Sequence, residues 1–480
     1  MTILLVAAEG VPFVKTGGLA DVIGSLPQEL KKLGLDVRVM LPKYGDIPEH
    51  FKIEMTHCCD FTVPLSWRQL YGGVQRLEYE GVPFYFIDNE YYFKRPGIYG
   101  FPDEGERFAF FCRAVLEALP HLDFSPRIIH CHDWHTGMIS VFLKAFYGAD
   151  PAYQGIRTVF TIHNLEYQGL FPPEFLEDVL GLPERYFTWD GVEFNGQVSF
   201  IKGGINFADL LTTVSESYAQ EIQYPFFGAR LDGLLRQRKD VLQGILNGID
   251  MKIYNPAEDP HICEPYNWKK PARKRLNKEE LQRKLSLPVR KDVPLIGLVS
   301  RLASQKGLDL IAHIWEELLS LDVQLVVLVT GEPRYEELFR YVADKYPDKV
   351  SANLFFDNRL AHHIYAGSDL FLMPSLYEPC GLGQLIALRY GSLPVVRETG
   401  GLRDTVQPYN EHTGEGNGFT FTNYNAHDLL HVLKEAVSLY QQRTTWSKLV
   451  KNAMKADFSW YKSAQKYQDL YRELGLKKDD

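Results

Sequence analysis

A basic surface is missing from these 480 residues: 52 Lys and Arg stand against 61 Asp and Glu, a net charge of −9. Gripping a phosphate backbone needs the opposite balance, so nucleic acid is not an expected partner. Cysteine is sparse and unpatterned. Cys58, Cys59, Cys112, Cys131, Cys263 and Cys380 form no Cys-x-x-Cys pair, which leaves neither a zinc framework nor a disulfide scaffold to expect. Apolar runs are short. The opening "MTILLVAA" has no basic segment before it, and nothing later approaches the ~18–20 apolar residues of a membrane helix. The expected location is the cytoplasm, with no membrane partner. Two common nucleotide signatures, G-x-G-x-x-G and G-x-x-x-x-G-K-[ST], are absent, so a nicotinamide or P-loop reading loses its main support. No Asp-x-Asp pair is present to clamp a divalent ion on a nucleotide diphosphate.

What is present is a regular α/β alternation. The unbroken apolar run from Ile3 to Ala8, a Gly-rich loop, a helical pattern and the run Val37 to Leu41 read as a βαβ start, because strands buried on both faces lose their polar alternation. The pattern continues through "VPFYFID" at 82–88, "RIIHC" at 127–131, "RTVFTIH" at 157–163 and "DLLTTVS" at 209–215. After the basic, helix-prone segment "NWKKPARKRLNKEELQRKLS", expected as a solvated face, a second series opens with "VPLIGLVSRL" at 293–302 and runs through "VQLVVLVTG", "SDLFLMPS" and "SLPVV". Strands separated by helices predict two doubly wound parallel sheets. The tail "FSWYKSAQKYQDLYRELG" spaces its aromatics as a packed helix does.

The polar motifs fall where such strands end. In "AAEGVPFVKTGGLADV", Gly17 and Gly18 allow close backbone approach, Asp21 sits in the first helical turn, and Lys15 adds a mobile charge. A plain strand–helix turn with a solvated lysine is the alternative. The stretch "TGGLRD" at 399–404 nearly repeats "TGGLAD" at 16–21. "SRLASQKG" puts Arg301 and Lys306 between a strand and a helix, where both can neutralise a diphosphate. "PSLYEPCGLGQL" sets Glu378 before a Gly-rich helix start, suited to sugar hydroxyls or to capping. "IIHCHDWHTG" offers His130, His132, Asp133 and His135 as metal ligands on spacing alone, but a tight site also needs distant ligands and an ordered surround, so no metal is assigned. Asp133 and Trp134 read instead as sugar-cleft residues. His163 and Asn164 end a buried strand; a satisfied core histidine is the alternative for His163.

Taken in order, "KTGGLADV", "HDWHT", "TIHN", "SRLASQKG", "EPCGLGQL" and "TGGLRDTV" resemble the bacterial glycogen synthases and plant starch synthases over nearly the whole chain. The resemblance implies a GT-B fold: two Rossmann-like domains facing across a deep cleft, 1–245 and 246–457, with the helix 458–480 returning to the first. It implies transfer of glucose from ADP-glucose to the non-reducing end of an α-1,4-glucan with anomeric retention, and no metal or other cofactor. By the same resemblance, Lys15 is the donor-binding lysine, with Gly17, Gly18 and Asp21 shaping its loop. His163 lies near the reacting glucose, Arg301 and Lys306 stabilise the diphosphate, Glu378, Cys380 and Gly381 form the donor-sugar loop, and Thr399, Gly400 and Gly401 the phosphate turn. Asn164, Gln168 and Asn247 match cleft residues.

One departure bears on mechanism. The E-x7-E pattern of the wider retaining superfamily has Glu378 first but Ile386 second. Double displacement needs a carboxylate nucleophile beneath the sugar; with none evident in these motifs, front-face displacement is expected. A glucan phosphorylase, with its pyridoxal-phosphate lysine in a longer chain, and a non-catalytic glucan-binding protein are the competing readings.

Overall fold

Residues 1–476 are described by the structure, a computed structural model. They divide into two units, Met1–Asn247 with the helix Trp460–Leu476, and Gly248–Ser459.

The first unit is built on nine strands: β1 (Thr2–Val6), β2 (Asp36–Pro42), β3 (Thr56–Leu65), β4 (Arg68–Tyr79), β5 (Val82–Asp88), β6 (Ile128–His132), β7 (Arg157–Ile162), and, beyond the small three-stranded sheet β8 (Leu170–Phe171), β9 (Glu193–Phe194) and β10 (Gln197–Ser199), β11 (Leu210–Thr213) and β12 (Leu242–Gly244). Their order is β12-β11-β7-β6-β1-β2-β5-β4-β3. Every pairing is parallel except β3 with β4 and β4 with β5. That antiparallel edge is not visible in the sequence: of β3 only Val63 and Leu65 are buried, so the run lacks a clean apolar face, and its turn uses Ser66 at φ 53° rather than a Gly.

The helix Gly18–Lys32 buries Leu19, Val22, Ile23, Leu26 and Leu30, one face of a 3.6-residue period. Against it packs Trp460–Leu476, tied by Gln468 Nε2 donating to Leu33 O at 2.9 Å. Ser463 Oγ donates to Leu246 O, and Tyr467, Leu470 and Tyr471 join the core of this unit.

The second unit has six parallel strands, β13 (Leu295–Leu302), β14 (Gln324–Gly331), β15 (Val350–Asn353), β16 (Leu370–Met373), β17 (Leu393–Arg397) and β18 (Phe419–Phe421), in the order β15-β14-β13-β16-β17-β18. The basic segment before β13 is a solvated face only in part: Lys269, Lys270, Arg273, Arg275, Arg283 and Lys284 are exposed, and two of its lysines are not. The helix Lys274–Lys284 lies on the helix Asn358–Gly367, with Lys274 and Lys278 buried. Lys274 Nζ donates to Tyr365 O at 3.0 Å and Ala366 O at 2.8 Å, and Lys278 Nζ pairs with Asp369 at 2.7 Å. Long stems can enter a core when their ammonium groups meet acceptors there.

Strand order dictates where a site can form. In an open parallel sheet, ligands collect outside the carboxyl ends of strands where the order reverses, because loops leaving to opposite faces open a crevice. In the first unit that point lies between β1 and β6, in the second between β13 and β16.

Candidate functional site

In the first unit the loop after β1 is organised by Glu9, which sequence reasoning passed over. Its buried carboxylate accepts from the Thr16 amide and from Thr16 Oγ1 at 2.9 Å. Burial raises its pKa, opposed by those hydrogen bonds and by the Gly17 amide. The loop so held presents Lys15, whose half-exposed ammonium pairs with Asp21 at 2.6 Å. Gly17 is the extended residue before the helix Gly18–Lys32.

After β6 the chain turns sharply. Asp133 has φ 59° and ψ 177°, a region essentially reserved for Gly, costing of order 1–3 kcal/mol and retained only where surroundings enforce it. The enforcement comes from β7: the Asp133 amide donates to Thr161 O at 2.9 Å, and the His163 amide donates to Asp133 Oδ1 at 2.8 Å. Burial pushes the Asp133 carboxyl up to about 7, with the His163 and Asn164 amides pulling the other way. The carboxylate read from sequence as a sugar contact thus holds the backbone of the "TIHN" turn.

The histidines form a stack rather than a ligand set. His130 is held by Tyr471 Oη at 2.7 Å and Thr161 Oγ1 at 2.5 Å. His132 lies on it, ring centroids 4.2 Å apart, and its Nδ1 is 2.9 Å from His163 Nε2. His135 stacks on Tyr99 and Trp134. Burial lowers His130, His135 and His163 to about 3 and His132 well below its usual value. Among the described residues no three His, Cys, Asp or Glu side chains are placed to share a metal ion.

Beside this turn is a groove of about 650 Å³ lined by Trp134, Tyr167, Gln168, Phe171, Asn195 and Arg230, among others. Gln168 Nε2 donates to Ala229 O at 2.9 Å, fixing one wall. Asn164 Oδ1 accepts from the Glu166 amide and so shapes the loop leading into the groove. Asn247 ends the unit, buried, with Oδ1 lacking a hydrogen-bond partner.

In the second unit, Arg301 closes β13 with an exposed side chain, and Lys306 ends the short turn Ser304–Lys306. Gly307 then takes φ 70°, where a Cβ would stand 2.0 Å from Pro374 O; that glycine lets the turns after β13 and β16 touch. Across the contact, Lys306 Nζ meets Glu378 Oε2 at 2.6 Å, both largely buried, and Ser375 Oγ donates to the same oxygen at 3.1 Å. The loop carrying Glu378, Cys380 and Gly381 is held from below by Gln384, whose Nε2 donates to Cys380 O and Gly381 O, each at 2.9 Å. Arg397 Nε anchors its start by donating to Ser375 O at 2.9 Å.

The second Gly-Gly turn closes on that loop. The Gly401 amide donates to Glu378 O at 3.1 Å, and Cβ atoms on Gly400 and Gly401 would lie 2.0 and 2.1 Å from Glu378 O and Cys380 O. These glycines are required by close packing of Thr399–Gly401 on the Glu378 loop, with the Gly401 amide already engaged. The structure therefore brings together Lys306, Glu378, Cys380, Gly381, Thr399, Gly400 and Gly401 in one unit, and His163, Asn164 and Asp133 in the other. Glu9, Ser375, Gln384 and Arg397 are the positioning residues the sequence did not disclose.

Comparison with known proteins bears out the expected family and fold. Residues 2–237 match the family model described as starch synthase catalytic domain, and residues 277–453 that of glycosyl transferases group 1. The Arabidopsis thaliana starch synthase IV catalytic domain, bound to ADP and acarbose, superposes with a TM-score of 0.92 at 34% identity over 99% of both chains. A sucrose-phosphate synthase from Thermosynechococcus elongatus, 17% identical with a TM-score of 0.61 over 98% of both chains, shares the fold. The class is that of a GT-B glycosyltransferase. Proteins named glycogen synthase from Desulforamulus reducens and Geobacillus stearothermophilus are 65% and 55% identical over 474 and 480 residues, 99% or more of both chains. The chain belongs to the glycogen synthase family, glucosyltransferases of glycogen biosynthesis that extend an α-1,4-glucan.

Proposed function

We propose that the donor is ADP-glucose, that its diphosphate is met by Arg301 and Lys306, and that transfer runs by front-face displacement without a metal. The observation that carries this reading is the Lys306–Glu378 pair at the switch point of the second sheet. One carboxylate fixes a largely buried ammonium where a leaving phosphate would gain negative charge, and the exposed Arg301 adds a second cation. Charges set in place before reaction stabilise the transition state without reorganising. The ADP in the starch synthase neighbour supports adenine as the base.

Ile386 is buried and apolar, so the second position of the E-x7-E pattern supplies no nucleophile for double displacement. The departing ADP oxygen takes the proton of the acceptor hydroxyl on the face it leaves, which retains configuration. His163 contributes near the anomeric centre. The glucan acceptor lies along the aromatic-lined groove of the first unit, where the exposed Tyr167 offers a face to sugar C–H groups. Lys15 adds donor affinity. The enzyme works in the cytoplasm, where its free thiols stay reduced; no helix among the described residues is long and apolar enough to cross a membrane.

The test is a folded Arg301→Ala, Lys306→Ala double variant. Its kcat should fall by about 10³-fold, in line with loss of preorganised charge stabilisation. Wild-type turnover in that variant, shown by circular dichroism to be folded at the assay temperature, would remove the pair from the reaction.

A further inference from the structure

Residue 163 is gripped at two points by two consecutive residues at the end of β6. Asp133 takes its backbone amide at 2.8 Å, and His132 meets its ring at 2.9 Å. His132 is wholly buried. It rests on His130, itself pinned at both nitrogens by Tyr471 and Thr161, and Thr161 Oγ1 is in turn hydrogen-bonded to Thr212. The ring of His132 therefore has a fixed floor and one polar contact, His163 Nε2. Its own Nε2 is buried with no hydrogen-bond partner.

Two neutral imidazoles joined nitrogen to nitrogen share one proton, and two arrangements follow. In one, His132 Nδ1–H donates to His163 Nε2; His163 then carries its proton on Nδ1, and His132 Nε2 is a buried lone pair. In the other, His163 donates, and His132 is left with a buried N–H that has no acceptor. An orphaned buried N–H is the rarer condition in folded proteins, an under-used acceptor the more tolerated one. The first arrangement is favoured, and it makes Nδ1 of His163 an N–H donor.

We infer that His132 is a positioning residue for glucosyl transfer: it holds the His163 ring in the tautomer protonated at Nδ1, so that His163 offers an N–H to a hydroxyl of the glucosyl unit. The inference rests on the reading that His163 faces the reacting sugar. A wrong tautomer would present a lone pair instead, able to accept but not to donate, and a freed ring would lose its aim.

Asn and Leu at position 132 separate the two roles. The amide of Asn can place an N–H close to where Nδ1 stands, while Leu fills the space without a donor. His132→Leu should lower kcat by about 100-fold, the scale of a misplaced reacting group, with KM for donor and glucan within about twofold and an unchanged thermal transition; His132→Asn should recover most of that loss. Long-range ¹H–¹⁵N spectra of the ¹⁵N-histidine-labelled full chain, with His163 assigned by its absence in His163→Ala, should show the proton on His163 Nδ1. Wild-type kcat in folded His132→Leu, or an Asn variant no better than Leu, would overturn the inference. So would a proton found on His163 Nε2, a result readable even if no variant folds. If His163→Ala turns over like wild type, the reading of His163 itself fails, a separate outcome from a silent His132.

Discussion

Lys15 and Lys306 are both lysines at the ends of first strands, yet their surroundings give them different work. Lys15 is half exposed and pairs with Asp21; an ion pair in such a place adds little stability. Lys15→Ala should leave the thermal transition where it is and raise the donor KM about tenfold, or about 1.4 kcal/mol, measured by initial rates over a donor series. An unchanged KM would take Lys15 out of donor binding. Lys306, held by Glu378 in a largely buried pair, cannot be replaced so quietly, because its loss leaves a carboxylate unpaired. Both lysines stand out in the sequence because their motifs place them beside glycines at strand ends. Glu9 and Gln384 do not stand out, and His132 stands out only as a candidate metal ligand, not for its contact with His163: each acts through a partner that is near only after folding, or through backbone atoms that carry no sequence signal.

Loops after β13, β16 and β17 form a single clamped element, and glycine is the reason. Gly400 combines φ 45° with a Cβ position 2.0 Å from Glu378 O. Gly400→Ala should strain the turn and push the Glu378 loop outward, costing about 3 kcal/mol in the second unit. Calorimetry should show its transition lowered by several degrees, and kcat should fall with it; an unshifted transition would contradict the clamp. The two Thr-Gly-Gly-Leu-x-Asp stretches thus serve different ends, a lysine-bearing loop held by Glu9 in one unit and a wedge beneath a carboxylate loop in the other. Element order was legible because both-face-buried strands are continuous apolar runs. The β3–β4 hairpin was not, since an edge strand needs little apolar pattern, and the burial of Lys274 and Lys278 was hidden because charge runs look alike whether solvated or roofed by carbonyls.

Across the chain, the protonation states of the buried histidines tie stability to pH. His130 and His135 sit in the first unit with pKa values lowered to about 3 from 6.5 by burial. The unfolded chain binds their protons below about 6.5 and the folded chain does not, so their contribution is complete above that pH and declines as pH falls toward 3. Denaturant midpoints for the first unit should drop steadily from pH 6.5 to 4, and His130→Asn should flatten the slope; a pH-independent midpoint would contradict neutral burial. The same whole molecule, two Rossmann-like units with their switch points loaded with the family's motifs, exists to move one glucosyl group. The most direct test is glucose incorporation into glycogen primer by the purified protein in EDTA, comparing ADP-glucose with UDP-glucose. Incorporation from ADP-glucose, well above that from UDP-glucose and undiminished by EDTA, is the expected result; no incorporation from ADP-glucose, or incorporation that EDTA abolishes, would contradict it.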